Sequence, residues 1–193
     1  AGRVTALDTT DADKQLAVSA AQYQKDGAIL AKWGAADGNT LEVTSVTAAN
    51  AQAFVAAKPS YVTSITVGDS ASAIARNLDS LQGLVSGGSL RQIVQTGASS
   101  TLKITAAQLA ANRDALTAIK NQAYALAITD ASVSDTLGLD GQAALKANAK
   151  VKSIEVKDGT DAIEAHLDEL QRVGLRLKSI AQTDTDNPMT VTA

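Results

Sequence analysis

A segment near the middle of the chain occurs twice, and this repetition limits the possible folds more than any other feature of the sequence. Residues 62–82, VTSITVGDSASAIARNLDSLQ, return 89 residues later as residues 151–171, VKSIEVKDGTDAIEAHLDELQ. Of the 21 aligned positions 11 are identical, namely Val62/Val151, Ser64/Ser153, Ile65/Ile154, Val67/Val156, Asp69/Asp158, Ala73/Ala162, Ile74/Ile163, Leu78/Leu167, Asp79/Asp168, Leu81/Leu170 and Gln82/Gln171. We therefore expect both segments to fold as the same strand, turn and helix, with equivalent residues buried.

Shorter matches extend the repeat over the whole chain. Two motifs each occur three times, as Val4, Leu7 and Thr10, then Leu90, Ile93 and Thr96, then Leu177, Ile180 and Thr183, and as LAVSAAQ at 16–22, LKITAAQ at 102–108 and MTVTA at 189–193. The sequence thus predicts a first repeat unit at 1–89, a second at 90–176 and the start of a third at 177–193.

The last residues of the chain belong to an ordinary repeat strand. A repeat array that ends its own hydrophobic stack needs a polar terminal repeat. We therefore expect a fragment of a longer array, or a chain whose end is completed by a neighbour. Copies of the chain are expected to associate through the face around Leu177, Ile180 and Met189, because an unpaired strand edge is a template for another chain.

The periodicity of the apolar residues alternates between that of strands and that of helices. Leu16, Val18 and Ala20 repeat every second residue, as in a strand, and the following residues keep a helical spacing. Strand–helix–strand order with short connections predicts an α/β fold of tandem β-α repeats, with mainly parallel strands in a solenoid-like slab. Two compact α/β repeat domains are the alternative, and a hairpin between the strands at 90 and 102 would make the sheet mixed.

Composition excludes several functional classes. Apolar residues make up 45% of the chain and aromatic residues 3%, which predicts a folded protein built from many small contacts. The absence of cysteine excludes disulfides and thiolate chemistry, and it is explained equally by a protein that stays unfolded until export and by drift in an alanine-rich chain. A net charge of −3 disfavours a nucleic-acid partner, and no apolar run is long enough to span a bilayer.

Residues capable of catalysis lack the partners that catalysis needs. His166 is the single histidine, and the other copy has Asn77 in its place. The sequence contains no GxSxG nucleophile motif and no GxxxxGK or GxGxxG phosphate-binding loop. Asp168 and Glu169 are assigned to a solvated helix face, and Trp33, which aligns with Ile119, is assigned to the core. These patterns predict that the chain is not an enzyme and has no catalytic residue or cofactor-binding motif.

Two acidic loops carry the only candidate metal ligands. The first holds Asp8, Asp11 and Asp13, and the second holds Asp184, Asp186 and Asn187. Our first interpretation is a pair of polar turns closed by Asp and Asn side chains. The alternative is Ca²⁺ binding, because alternating oxygen-bearing side chains can converge on a hard cation.

The repeated pattern resembles that of a known group of proteins. VxSIxVxDxxxAIxxxLDxLQ, followed by LxxIxQT, TLKITAAQL and YALAITDASVSD, is similar to repeats of very large secreted and surface proteins of Gram-negative bacteria, which are adhesin-like or S-layer-like. The resemblance covers nearly all of the chain. It implies a scaffold or adhesive stalk, often exported without cleavage of an N-terminal signal. The tandem GGxGxDxxx motifs of calcium rolls are absent from this chain.

These observations lead to one expected function and two alternatives. We expect a structural or adhesive repeat segment of a secreted or cell-surface protein, serving adhesion, a surface layer or a biofilm scaffold. Its expected partners are neighbouring repeats, identical chains, and a host or cell-surface ligand. The alternatives are a Ca²⁺-dependent assembly or binding module and an auxiliary domain of a secreted enzyme.

Overall fold

The computed structural model describes residues 12–36, 38–98, 101–120, 124–137, 145 and 148–184, which divide into two compact α/β units. Unit 1 takes its described residues from Ala1–Ala98 and Asn112–Gln122, and unit 2 from Ser99–Ala111 and Ala123–Ala193. Each unit contains a four-stranded parallel sheet with helices between the strands. The predicted fold class is therefore confirmed, in the form of two compact α/β units.

Strands and helices alternate along the chain, with two pairs of short helices. The elements are β1 (Gln15–Ser19), α1 (Ala20–Gly34), β2 (Thr40–Val46), α2 (Ala51–Ala57), β3 (Val62–Ser70), α3 (Ala71–Arg76), α4 (Leu78–Ser86), β4 (Leu90–Thr96), β5 (Thr101–Thr105), α5 (Ala106–Ala111), α6 (Arg113–Thr117), β6 (Ala125–Ala131), α7 (Val133–Leu137), β7 (Val151–Asp158), α8 (Thr160–Glu164), α9 (Leu167–Val173), a 3-10 turn (Gly174–Arg176) and β8 (Leu177–Gln182). The first copy of the repeated motif, with Val4, Leu7 and Thr10, lies outside the described residues.

The strands follow one another in sequence order within each sheet. Unit 1 has the order β1-β2-β3-β4, unit 2 has β5-β6-β7-β8, and every described pairing between named strands is parallel. The hairpin alternative is wrong, because β4 pairs with β3 whereas β5 pairs with β6. The compact units do not coincide with the division at 1–89, 90–176 and 177–193. β4 lies after residue 89 but completes the sheet of unit 1.

The two sheets repeat even their irregularities. A register shift follows Val43 in β2, and another follows Ile128 at the equivalent place in β6. Ser45 and Asp130 lie at these shifts and have φ values of 59° and 53°, in the left-handed region. Bulges of this kind re-aim the side chains that follow. The repetition of the sequence therefore extends to backbone conformation.

Local hydrogen bonds fix where the helices begin and end. Ser19 and Gln22 form a capping box at the start of α1, and Thr105 and Gln108 exchange the same two bonds at the start of α5. The helix predicted after β3 is broken at Asn77 into α3 and α4. Short polar residues at these points supply the bonds that a helix terminus lacks.

The core consists of apolar side chains from one face of each sheet. Leu41 and Val43 of β2 are fully buried, while the intervening Glu42 is half-buried. Ile65 and Ile154 are both fully buried, as the repeat predicts. Alternation of this kind covers one face of a strand and leaves the other to polar residues.

One expected equivalence is wrong. Leu78 is fully buried at the start of α4, but Leu167, its copy at the start of α9, is only half-buried. The neighbours differ, because α4 packs against α2 and α6 whereas the main helical neighbour of α9 among the described elements is α7. Burial at this position therefore depends on packing that the repeated sequence does not contain.

We predict that Leu78→Ala destabilises the protein by about 2–5 kcal/mol, the range for truncation of a buried leucine. Leu167→Ala should cost clearly less, because its side chain already contacts water. Urea unfolding followed by circular dichroism measures both. Equal losses for the two variants would contradict the difference in packing.

Candidate functional site

The acidic residues proposed as metal ligands are only partly described. Asp13 is exposed in the turn before β1, and Asp184 follows β8. Asp8, Asp11, Asp186 and Asn187 lie outside the described residues. Within the described part of the chain, no group of three or more His, Cys, Asp or Glu side chains is placed to hold a metal ion. The Ca²⁺ site therefore stays a prediction.

Asp184 has a role within unit 2. Its carboxylate accepts hydrogen bonds from the backbone N–H of Thr160 at 2.9 Å and from the Thr160 hydroxyl at 2.9 Å. The Gln182 amide in turn donates to the Thr160 hydroxyl at 2.7 Å. The hydroxyl bond, and then the backbone bond, hold the pKa of the Asp184 carboxyl below its usual value. Asp184 thus ties the end of β8 to the first residue of α8.

Two further carboxylates connect consecutive strand-to-helix turns, one in each unit. Asp69, near the end of β3, accepts from the N–H of Ala48, which follows β2, at 3.0 Å and from its neighbour Ser70 at 2.8 Å. Asp158 accepts from the N–H of Val133 at 2.9 Å in unit 2. In open α/β sheets, ligands bind near the carboxyl ends of the strands where strand order reverses. These sheets do not reverse, and here the carboxylates bind the backbone.

The helix starts that follow β3 and β7 are capped differently. The Ser70 hydroxyl caps α3 by accepting from the Ala73 N–H. In the second copy the N-cap residue of α8 is Gly159, which has no side chain. Asp184 instead accepts from the free N–H at this helix start.

The polar face of each sheet carries side-chain pairs that the sequence analysis did not indicate. In unit 1 the Glu42 carboxylate accepts from the Thr66 hydroxyl and from the Arg91 guanidinium, both at 2.9 Å. In unit 2 the Lys178 ammonium lies 3.5 Å from the Glu155 carboxylate. The charged residues on neighbouring strands were the sequence signal from which these ion pairs could have been predicted.

A pocket of about 340 Å³ lies beside α4, α6 and β4 in unit 1. Its lining contains two basic residues, Arg91 and Lys120, and one acidic residue, Asp114, together with Val85, Ser86, Thr117 and Ala118. Arg91 is already paired with Glu42. The pocket is formed where α6 packs on α4, so it is a consequence of this helix contact.

The remaining candidates occupy structural positions. His166 separates α8 from α9, as Asn77 separates α3 from α4, and its Nδ1 lies 3.9 Å from the Glu169 carboxylate. Trp33 is buried, which confirms its assignment to the core, and its indole N–H donates to the Thr40 carbonyl. Its sequence match Ile119 is also buried, but lies outside the helices and pairs with Ile93. Trp33 and Ile119 are therefore not structural equivalents.

Protonation of Asp184 is expected to destabilise unit 2. Because its pKa is lowered in the folded state, this group contributes stability above its unfolded pKa, and the contribution is lost as the pH falls through the folded pKa. Acid unfolding monitored by circular dichroism should show a weaker pH dependence for Asp184→Asn than for the original chain. Thr160→Val, which removes the hydroxyl donor, should also weaken it. Identical acid curves for all three chains would contradict this assignment.

Comparisons with known proteins add no assignment. No family model matches the chain, no curated protein matches it, and no solved structure matches it. Among the described helices, none is long and apolar enough to cross a membrane. The functional argument therefore depends on the residues and contacts of the chain itself.

Proposed function

We propose that this chain is a non-enzymatic structural or adhesive segment of a secreted bacterial surface protein. The repeated units build a stable framework, and their exposed faces contact other molecules. Neighbouring repeats and a host or cell-surface ligand are the partners of this function. The proposal combines the family resemblance of the repeat with the distribution of shared and different residues between the units.

The observation that carries the proposal is that the two copies share the residues that build the framework. The carboxylates of Asp69 and Asp158 lock equivalent turns. The hydroxyls of Thr44 and Thr129 donate to equivalent carbonyls of the preceding strand, at 3.2 and 3.5 Å. A chain that works by repetition needs each copy to fold alike, and these bonds serve that requirement.

The exposed polar faces, in contrast, differ between the copies. Glu42 and Arg91 form an ion pair in unit 1, where the repeat of Glu42 in unit 2 is Ala127. In unit 2 the ion pair joins Glu155 and Lys178. A constant framework with variable polar faces is the arrangement expected of a repeat protein that uses its surface for contacts.

The shared framework predicts similar effects of equivalent substitutions. Asp69→Ala and Asp158→Ala each leave backbone N–H groups without an acceptor, and we expect each to cost about 1–3 kcal/mol. Urea unfolding measures the losses, with Asp13→Ala, an exposed turn residue, as the control. A loss at only one of the two sites would contradict the repeated framework.

Adhesion is tested with microspheres coated with the chain. Attachment to bacterial cells, epithelial cells and glass under flow is measured against microspheres coated with an unrelated acidic protein of similar size. We expect stronger attachment of the chain-coated spheres to at least one surface. A variant with Glu42→Ala, Arg91→Ala, Glu155→Ala and Lys178→Ala should attach less while its melting temperature stays within a few degrees of the original.

Each arm of the adhesion experiment has a decisive outcome. Measurement in millimolar Ca²⁺ and in chelator separates simple adhesion from the calcium-dependent alternative, which requires attachment only with the ion. Single-molecule pulling of the full chain should show two unfolding events, one for each unit. The proposal is overturned if the chain neither attaches to any surface nor resists force as two folded units.

A further inference from the structure

The segment 112–120 covers one side of unit 1 through a set of side-chain bonds. The Asn112 amide donates to the Asp79 carboxylate, and the N–H of Ala115 donates to the Gln82 side-chain carbonyl at 2.9 Å. The Gln82 amide donates to the Asp114 carboxylate at 2.8 Å. Asp79 and Gln82 of α4 thus hold both the first residue before α6 and its first turn.

The same segment also pairs with the outer edge of the sheet. Ile93 of β4 donates its N–H to the Ala118 carbonyl at 2.9 Å and accepts from the N–H of Lys120 at 3.2 Å. These bonds form a parallel bridge between Ile93 and Ile119. Both isoleucines are buried, with exposed fractions of 0% and 6%. β4 and α4 therefore both bind this segment.

Unit 2 repeats the receiving surface. Asp168 and Gln171 are the identical copies of Asp79 and Gln82. β8 pairs with β7 as β4 pairs with β3, so that Ile180 stands opposite Val156 as Ile93 stands opposite Val67.

The covering segment has no counterpart among the described residues of unit 2. The side chains of Asp168 and Gln171 are exposed and make no hydrogen bond to another described residue. Ile180 is 39% exposed, whereas the equivalent Ile93 is fully buried, and Leu175, in the turn before β8, is fully exposed. The surface that binds a segment in unit 1 is therefore not covered by any described residue of unit 2.

We propose that Asp168, Gln171 and the outer edge of β8 form a docking surface for a segment of the 112–120 type, supplied by a further repeat unit. The inference rests on the proposed function, because it requires the chain to work as part of a repeat array. It assigns the Asp168 carboxylate to an asparagine side chain and Gln171 to the first turn of the docked helix. Ile180 pairs with the backbone that follows this helix.

The occupant is specified by the chemistry of the surface. Asp168 requires a donor, and Gln171 offers one acceptor and two donors. The sequence NRDALTAIK at 112–120 satisfies the same two side chains in unit 1 and adds an isoleucine for the sheet edge. Exposed Asp and Gln side chains stabilise an isolated unit little. Asp168 and Gln171 are identical to Asp79 and Gln82, which bind the 112–120 segment in unit 1. This identity is explained if both pairs bind the same kind of segment.

The first test compares matched variants of the chain as it is. Asp79→Ala and Gln82→Ala break bonds to the covering segment and should lower the melting temperature. Asp168→Ala and Gln171→Ala should leave it unchanged, because their partner is not present in the described structure. Unequal sensitivity of these identical residue pairs is the expected result, and an equal decrease for both pairs would overturn the proposal.

The second test supplies a segment of the 112–120 type. Because 189–193 aligns with 102–106, residues 107–122 are appended directly after Ala193, which places the segment in phase with the repeat. Hydrogen exchange of the Ile180 N–H should slow at least tenfold in the extended chain. Asp168→Ala combined with Gln171→Ala should reverse this protection. An appended segment carrying Asn112→Ala and Ile119→Asp is the matched control and should give no protection.

The outcomes separate this inference from the proposed function. Unchanged exchange at Ile180 in the extended chain, or protection that persists in the double variant, overturns the docking surface and leaves the adhesion result untouched. Protection of Ile180 in the unextended chain, together with a concentration-dependent dimer in light scattering, would identify a second copy as the occupant and also overturn it. Loss of adhesion with intact docking would instead remove the proposed function.

Discussion

The hydrogen bond from a turn N–H to a carboxylate on the next strand is the interaction on which each unit depends. Parallel strands cannot be joined by a tight hairpin, so every crossover must return the chain to the same end of the sheet. Asp69 and Asp158 fix this end by binding the turn after the preceding strand. Asp184 does the same one strand later. Through these hydrogen bonds the carboxylates connect the successive strand-to-helix turns of each unit.

Because the turns follow one another in order, each sheet contains its strands in sequence order. The strand order in both sheets is sequential, and the same register shifts recur in β2 and β6. Within each unit every strand after the first therefore pairs with the strand that precedes it in the sequence. The surroundings of repeated residues still differ: Gln82 bonds to the 112–120 segment, whereas its identical copy Gln171 makes no hydrogen bond through its side chain to another described residue.

The two faces of each sheet differ in residue type and in their contribution to stability. Apolar residues such as Leu41 and Val43 are buried, which supplies the hydrophobic stabilisation. The polar residues between them form ion pairs that are partly exposed, and such pairs contribute little stability. Their substitution is therefore tolerated, and the polar faces are free to diverge between copies. This division is what makes a framework suitable for surface contacts.

The sequence by itself determined the repeat, the alternation of strands and helices and the α/β class, because these follow from local periodicity and from the identity of the two copies. It also placed Trp33 and the pair Ile65 and Ile154 in the core. The tertiary structure alone decided that Asp184 binds the start of α8 and that Leu78 is more buried than Leu167. Both depend on which distant segments become neighbours. The same repeated residues can be covered in one unit and exposed in the other, since a side chain's burial is set by its surroundings.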